Sequence, residues 1–185
     1  MRQRDGKTSL HHAARNGHVD CINYLVAEEG HVADEPSGDG ATPFHLACFG
    51  GHCDAVVALM QMHNCNFAAT NEWGCHAGHW IAMTKSEWTA EVQNICHFLL
   101  EKAGTNLFVE QQNQGHAPLH KAAQRQNRHV IEWLSQSQEE GGAGLSEEQK
   151  QQVGLPDEGG HTPSQIWTSV AGDEQFVEWM RSFGW

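Results

Sequence analysis

A chain of 185 residues with 23 acidic and 11 basic side chains carries a net charge of −12. That balance argues against nucleic acid or an anionic membrane surface as the main partner, because both attract patches of Lys and Arg. It mildly favours a neutral or basic protein. No apolar run approaches the ~20 residues of a membrane span, so no membrane insertion is expected. The opening Met1-Arg2-Gln3-Arg4-Asp5-Gly6 has charge without the apolar segment of a secretory signal.

The first recognisable element is Gly6-Lys7-Thr8-Ser9-Leu10-His11-His12-Ala13-Ala14-Arg15-Asn16-Gly17-His18. It returns 34 residues later as Gly40-Ala41-Thr42-Pro43-Phe44-His45-Leu46-Ala47-Cys48-Phe49-Gly50-Gly51-His52, and again after 34 from Gly74. Fourth and fifth copies open at Gly115 and Gly160. In each, glycine gives a tight turn its backbone freedom. Thr then Pro opens a helix, through a capping hydroxyl and a ring suited to the first helical position. Leu10, Ala13 and Ala14 follow at the spacing of one helical face, and Gly17 stops the helix. A second helix places Ile22, Leu25 and Val26 on one face. Phe44, Ala47 and Cys48, then Val56, Leu59 and Met60, repeat the pattern, as do Leu119, Ala122 and Ala123, then Ile131 and Leu134.

One such helix pair cannot bury its own face, and stacked neighbours do it instead. The Thr-Pro-Leu-His-x-Ala core, five times in register from about Asp5 to about Arg181, resembles the ankyrin repeat. The resemblance implies an all-α solenoid of helix-turn-helix units with short finger loops. It forms a single domain over residues 1–185, divided at about 5–38, 39–72, 73–113, 114–158 and 159–185.

The units depart from this pattern in particular places. Unit one begins with no polar capping helix ahead of it, as expected of a marginal repeat or of the cut edge of a longer stack. Unit three has Gly78 in the Leu slot and about five extra residues between its helices. There the pattern Thr84-x-x-Glu87 predicts a capped helix from about Ser86 to about Lys102, carrying Val92, Ile95, Phe98 and Leu99. An insertion of about 11 residues follows unit four; its Gln138-to-Gly144 run reads as a loop, and Ser146-x-x-Gln149 predicts a short capped helix. Unit five places Trp167 in a small-residue slot, which only the end of a stack accommodates. Its second-helix face is Phe176, Trp179 and Met180.

Fourteen histidines and six cysteines invite a search for chemistry. His11, His45, His79 and His120 occupy the His of the repeat, which the resemblance assigns to hydrogen bonds between neighbouring loops. His18 and His52 hold the slot before each second helix. Cys75-His76-x-x-His79, with Cys48, Cys53, His52 and Cys65, is the one Cys/His grouping, the basis of an alternative reading as a metal-responsive repeat protein. No pair has zinc-finger spacing, so no metal or other cofactor is expected. A thiol enzyme would need an imidazole and an orienting group within reach of one cysteine, which the register does not predict. No catalytic residues are expected. Cys48 in an alanine slot, and Cys21 beside Ile22, read as free buried thiols of the cytoplasm or nucleus.

After each loop glycine come Lys7, Ala41, Cys75, His116 and His161, expected as solvated tip residues. Ankyrin-like stacks use their loop tips and the outward side of the first helices, on the concave face, to hold a protein partner. Tip slots here include Arg4, Asp39, Glu72, Trp73 and Gln114; outward helix slots include Arg15, Phe49, Met83 and Arg125. Trp73, Phe49 and Met83 are expected as one exposed apolar patch, a mark of interaction sites. The expected function is a protein-binding module or scaffold.

Overall fold

The computed structural model describes residues 5–85 and 87–185. Arg4 and Ser86 lie outside the described residues. Twelve α-helices are found among them, and no strand. They are α1 (Ser9–Arg15), α2 (Val19–Ala27), α3 (Pro43–Gly50), α4 (Cys53–Val57, running on through a π-helical turn, Ala58–Met62), α5 (Ala77–Ala82) and α6 (Ala90–Ala103). After these come α7 (Asn106–Val109), α8 (Pro118–Gln124), α9 (Arg128–Ser135), α10 (Glu147–Val153), α11 (Pro163–Ala171) and α12 (Glu174–Arg181). The first helices pack in a row, α1 on α3, α3 on α5, α5 on α8 and α8 on α11. Each is backed by its own second helix, α2, α4, α6, α9 or α12. This is the ankyrin-type helical solenoid.

The core runs continuously along the stack, as the repeated apolar face requires. Leu10, Phe44, Ile81 and Leu119 from the first helices meet Ile22, Leu59, Ile95, Leu99, Ile131 and Leu134 from the second, all fully buried. Each such side chain contributes roughly 1.5–3 kcal/mol. Cys48 is buried among them, but Cys21 is exposed. Consecutive helical residues point about 100° apart, so burying Ile22 turns its neighbour outward.

Between first helices stand the fingers. Gly40, Gly74, Gly115 and Gly160 all have φ between +75° and +80°, and each donates its N–H back across the turn, for example Gly74 to the Asn71 carbonyl at 2.9 Å. Neighbouring fingers are joined by single backbone bonds: Gly38 N–H to Asp5 O (2.8 Å), Glu72 N–H to Asp39 O (3.1 Å), Asn113 N–H to Trp73 O (3.0 Å) and Glu158 N–H to Gln114 O (3.1 Å).

The repeat histidines hold helix and finger together. In α1 the Thr8 N–H donates to His11 Nδ1 (3.1 Å), which leaves the proton on Nε2 to be given to the Ala41 carbonyl of the next finger (3.0 Å). His45 repeats this with Thr42 N–H (3.1 Å) and Ala69 O (2.9 Å). His79 reaches the His116 carbonyl at 2.8 Å. His120 takes the Ala117 N–H at 3.2 Å, while its Nε2 is buried without a partner. Thr42 Oγ1 also accepts the His45 N–H, and Pro43, Pro118 and Pro163 open their helices.

Unit three differs from expectation. Its second helix starts at Ala90, with Thr89 at the cap position, not near residue 86. The Thr84 hydroxyl is engaged elsewhere, donating to the Phe49 carbonyl of the preceding unit at 2.9 Å. Trp88, just before α6, is partly buried against the core. The unforeseen helix α7 explains Gly78. Its Leu107 carbonyl lies where a Cβ on residue 78 would collide with it, so backbone occupies the space that a leucine fills in other units. Leu107, Phe108 and Val109 are buried, and the Phe108 ring meets Trp133 edge-on at 4.9 Å.

The insertion after α9 is more ordered than a loop. A turn of 3₁₀ helix (Gln138–Glu140) is followed by buried Ala143 and Leu145, and the Ala143 N–H bonds the Trp133 carbonyl at 2.9 Å. Ser146 caps α10 as its spacing predicts, accepting the Gln149 N–H at 3.2 Å. Trp167 is buried at the end of the stack against Phe176, 4.7 Å between ring centroids. Phe176 and Met180 are buried and Trp179 partly so. Trp185 adds a contact not foreseen, donating its indole N–H to the Lys150 carbonyl at 2.8 Å.

Two outcomes follow from these contacts. Burial pushes the imidazoles of His45, His76 and His120 down to about 4, from an ordinary 6.5. They are neutral in the fold but gain a proton in the unfolded chain as pH falls below 6.5. Their contribution is therefore complete above pH 6.5 and is lost between 6.5 and about 4, at about 1.4 kcal/mol per pH unit for each histidine. Urea titrations at pH 7, 6 and 5 should show that decline. Separately, Gly78→Ala should cost on the order of 1–3 kcal/mol through overpacking against Leu107, read from the same titration at pH 7.

Candidate functional site

The fingers and the first helices enclose a groove of about 370 Å³. Its floor comes from α3 and α5. Leu46, Phe49, Trp80 and Met83 line it, the last two lying one helical turn apart, as do the first two. The Trp80 ring stacks on His45 (5.5 Å, 18°) and meets Phe49 edge-on (6.1 Å, 87°). The Arg15 guanidinium lies over the Phe49 ring, 5.4 Å from its centroid.

The wall is built by fingers whose shape is fixed by buried amides. Asn71 Oδ1 accepts the N–H groups of Trp73 (3.1 Å) and Cys75 (2.9 Å). Gln112 Oε1 accepts the Gln114 N–H at 2.6 Å. On this finger Trp73 is 49% exposed.

Seven of the eight side chains expected on the binding face line this one groove: Trp73, Asp39 and Gln114 from the fingers, and Arg15, Phe49, Met83 and Arg125 from the first-helix side. Glu72 is exposed beside it but does not line it. The expectation that Trp73, Phe49 and Met83 all stand in water needs correction. Phe49 and Met83 are only partly exposed, because Trp80 of unit three covers Phe49. Trp80 and Leu46 were missed, as were Lys121 and Lys7. Trp80 and Leu46 lie three residues before Met83 and Phe49, and Lys121 lies four before Arg125, so helical spacing alone points to all three.

The column after the loop glycines is not a solvated one. Ala41 and Cys75 are buried. The His116 side chain is 12% exposed, and its Nε2 donates to Asp157 Oδ2 at 2.9 Å. Its Nδ1 receives Gln112 Nε2 (2.9 Å) and faces Lys121 Nζ (3.1 Å). Burial, then the Lys121 charge, pushes the His116 pKa down against the pull of Asp157. His161 is the exposed member, along with the partly exposed Lys7.

Among the described residues no three Cys, His, Asp or Glu side chains converge as a metal-binding group. The His76 and His79 rings meet at 4.1 Å, and the His76 Nδ1 serves as the cap of α5, accepting the Gly78 N–H at 3.2 Å. Burial pushes the Cys65 thiol up to about 12 and raises Cys48, Cys75 and Cys96. Such thiols are poor nucleophiles at neutral pH. No described helix is long and apolar enough to cross a membrane.

A row of helix pairs with tip-linked fingers and a groove beside them defines an α-solenoid built from repeats. Comparison with known proteins agrees. Residues 1–71 match the family model for ankyrin repeats (3 copies). The chain is 39% identical over 59 residues to palmitoyltransferase ZDHHC17 of Danio rerio, a match covering 31% of this chain and 9% of that protein, so it corresponds to a small part of that relative's length. Residues 1–71 thus match ankyrin repeats, and the helix pairs beyond them continue the same stack. Ankyrin repeats are generally modules of protein–protein interaction and are typically non-catalytic.

The thiol environments give a direct check. With a chromogenic disulfide reagent at pH 8, Cys21 should react within the mixing phase, whereas Cys48, Cys65 and Cys96 should wait for unfolding. A fast-reacting buried cysteine would contradict the packing described.

Proposed function

We propose that this chain is the recognition module or scaffold of a larger assembly, holding a protein partner in the groove between its fingers and first helices, on the concave face of the stack. It acts as one domain over residues 1–185, with units at about 5–38, 39–72, 73–113, 114–158 and 159–185. It is not an enzyme and works in the cytoplasm or nucleus. The supporting observation is the groove itself: a half-exposed Trp73, on a finger turn whose backbone N–H groups Asn71 accepts, lines the same groove as Phe49 and Trp80. A large, half-exposed indole in a groove with an apolar floor is the composition of an interaction hot spot. Trp73, Met83 and Phe49 supply the apolar contact; Arg15, Asp39, Gln114 and Arg125 supply polar contacts around it, with Glu72 at the margin. The palmitoyl transfer in the relative's name stays with that protein, since 9% of its length is matched.

A partner isolated by two-hybrid selection and measured by calorimetry tests this reading. Trp73→Ala should weaken binding by about 2 kcal/mol, roughly 30-fold, with the circular dichroism spectrum unchanged. A Kd unmoved by Trp73→Ala and by Met83→Ala would remove the groove from the partner's footprint.

A further inference from the structure

The groove has a charge opposite to that of the chain. Acidic residues outnumber basic ones 23 to 11 overall, yet Lys7, Arg15, Lys121 and Arg125 line this one groove, and Asp39 is the sole carboxylate among its described lining residues. Lys7 is already paired with Asp5 at 2.9 Å, and Asp39 takes the Ser37 hydroxyl. Arg15 and Arg125 are exposed and make no ion pair among the described residues. A net charge taken over the whole surface therefore misdescribes what the binding face would attract.

The cations are also placed in order. Arg15 ends α1 and Arg125 follows α8, and between them in the row lie α3 and α5, which carry the aromatic floor. Three helix-packing steps of 8–10 Å separate the two guanidinium-bearing helices by roughly 25–30 Å. An extended peptide covers that distance in about eight residues. We propose that the groove takes an extended acidic segment of a partner protein, with carboxylates about eight residues apart on Arg15 and Arg125 and apolar side chains between them over Trp73, Trp80 and Met83. The guanidinium is the side chain best shaped for carboxylate, through its paired N–H donors. Lys121, beside Arg125's helix turn, adds to the positive end. An evenly charged polyanion fits less well, because the centre of the groove is apolar and the rest of the chain repels it.

This inference rests on the groove being a protein site, and the experiment separates the two. A phage library of random 12-residue peptides is panned on the full chain, and enriched peptides are measured by fluorescence anisotropy. The expected peptides carry two Asp or Glu positions flanking an apolar centre. Their affinity falls at least tenfold on Arg15→Glu or Arg125→Glu without change in circular dichroism, and a peptide with Lys in place of the matching acid regains binding to the swapped variant. Peptides that depend on Trp73 but are neutral or basic, or that ignore both Arg substitutions, overturn the acid preference and leave the groove standing. Displacement of the peptide by a 12-nucleotide single-stranded DNA at equal concentration overturns it in favour of nucleic acid. Failure to enrich any peptide sensitive to Trp73→Ala removes both readings together.

Discussion

A buried imidazole used at both nitrogens is the constraint on which this architecture depends. His11 and His45 each accept the backbone N–H at the start of their own helix through Nδ1. That bond leaves Nε2 to donate to a carbonyl in the next finger. The two contacts require the neutral ring, and burial supplies the same preference. Helix start, loop conformation and the offset between units are thus set by one side chain. The apolar core alone cannot do this, because alanine-rich first helices would slide past one another at little cost. Directional bonds to buried carbonyls remove that freedom, since an unmet carbonyl in the interior costs about 1–3 kcal/mol.

The groove is a consequence of the same geometry. With each finger held against the preceding first helix, the helix residues one position and one turn beyond the histidine line the groove beside it. Leu46 and Phe49, Trp80 and Met83 reach the floor in that way. The wall gets its shape from Asn71 and Gln112, whose amides are satisfied within their own turns. The groove is assembled from side chains in four different units and backed by the stack, so a partner held there as proposed would meet a low ordering cost.

Much of this was legible in the amino-acid order. The period of 34, the turn glycines and the Thr-Pro openings predict the row of first helices, and the structure has them within a residue or two. Trp73, Arg15 and Arg125, expected on one face, line one groove. What was not legible involves contacts between elements distant in sequence. Nothing local reveals that Thr84 bonds the Phe49 carbonyl, 35 residues back, so its cap pattern misleads. Nothing local says that Trp80 covers Phe49 and turns an exposed patch into a floor. Gly78 looked like a lost core residue because the filler is the backbone of α7, 29 residues further on. Net charge is likewise silent on distribution: Lys7, Arg15, Lys121 and Arg125 line one groove of a chain that is acidic as a whole.

The seat of α7 on Gly78 also bears on how such an array can change over generations. Most units here meet their neighbours through the same helix faces, so duplication or loss of one copy would bring compatible surfaces together. The third cannot be copied or excised alone. Its missing side chain is replaced by a segment that also touches α6, α8 and α10, so any recombination that separates them leaves a hole on one side and a stranded apolar stub on the other. A rearrangement that kept the packing would have to carry the centre of the array as a block.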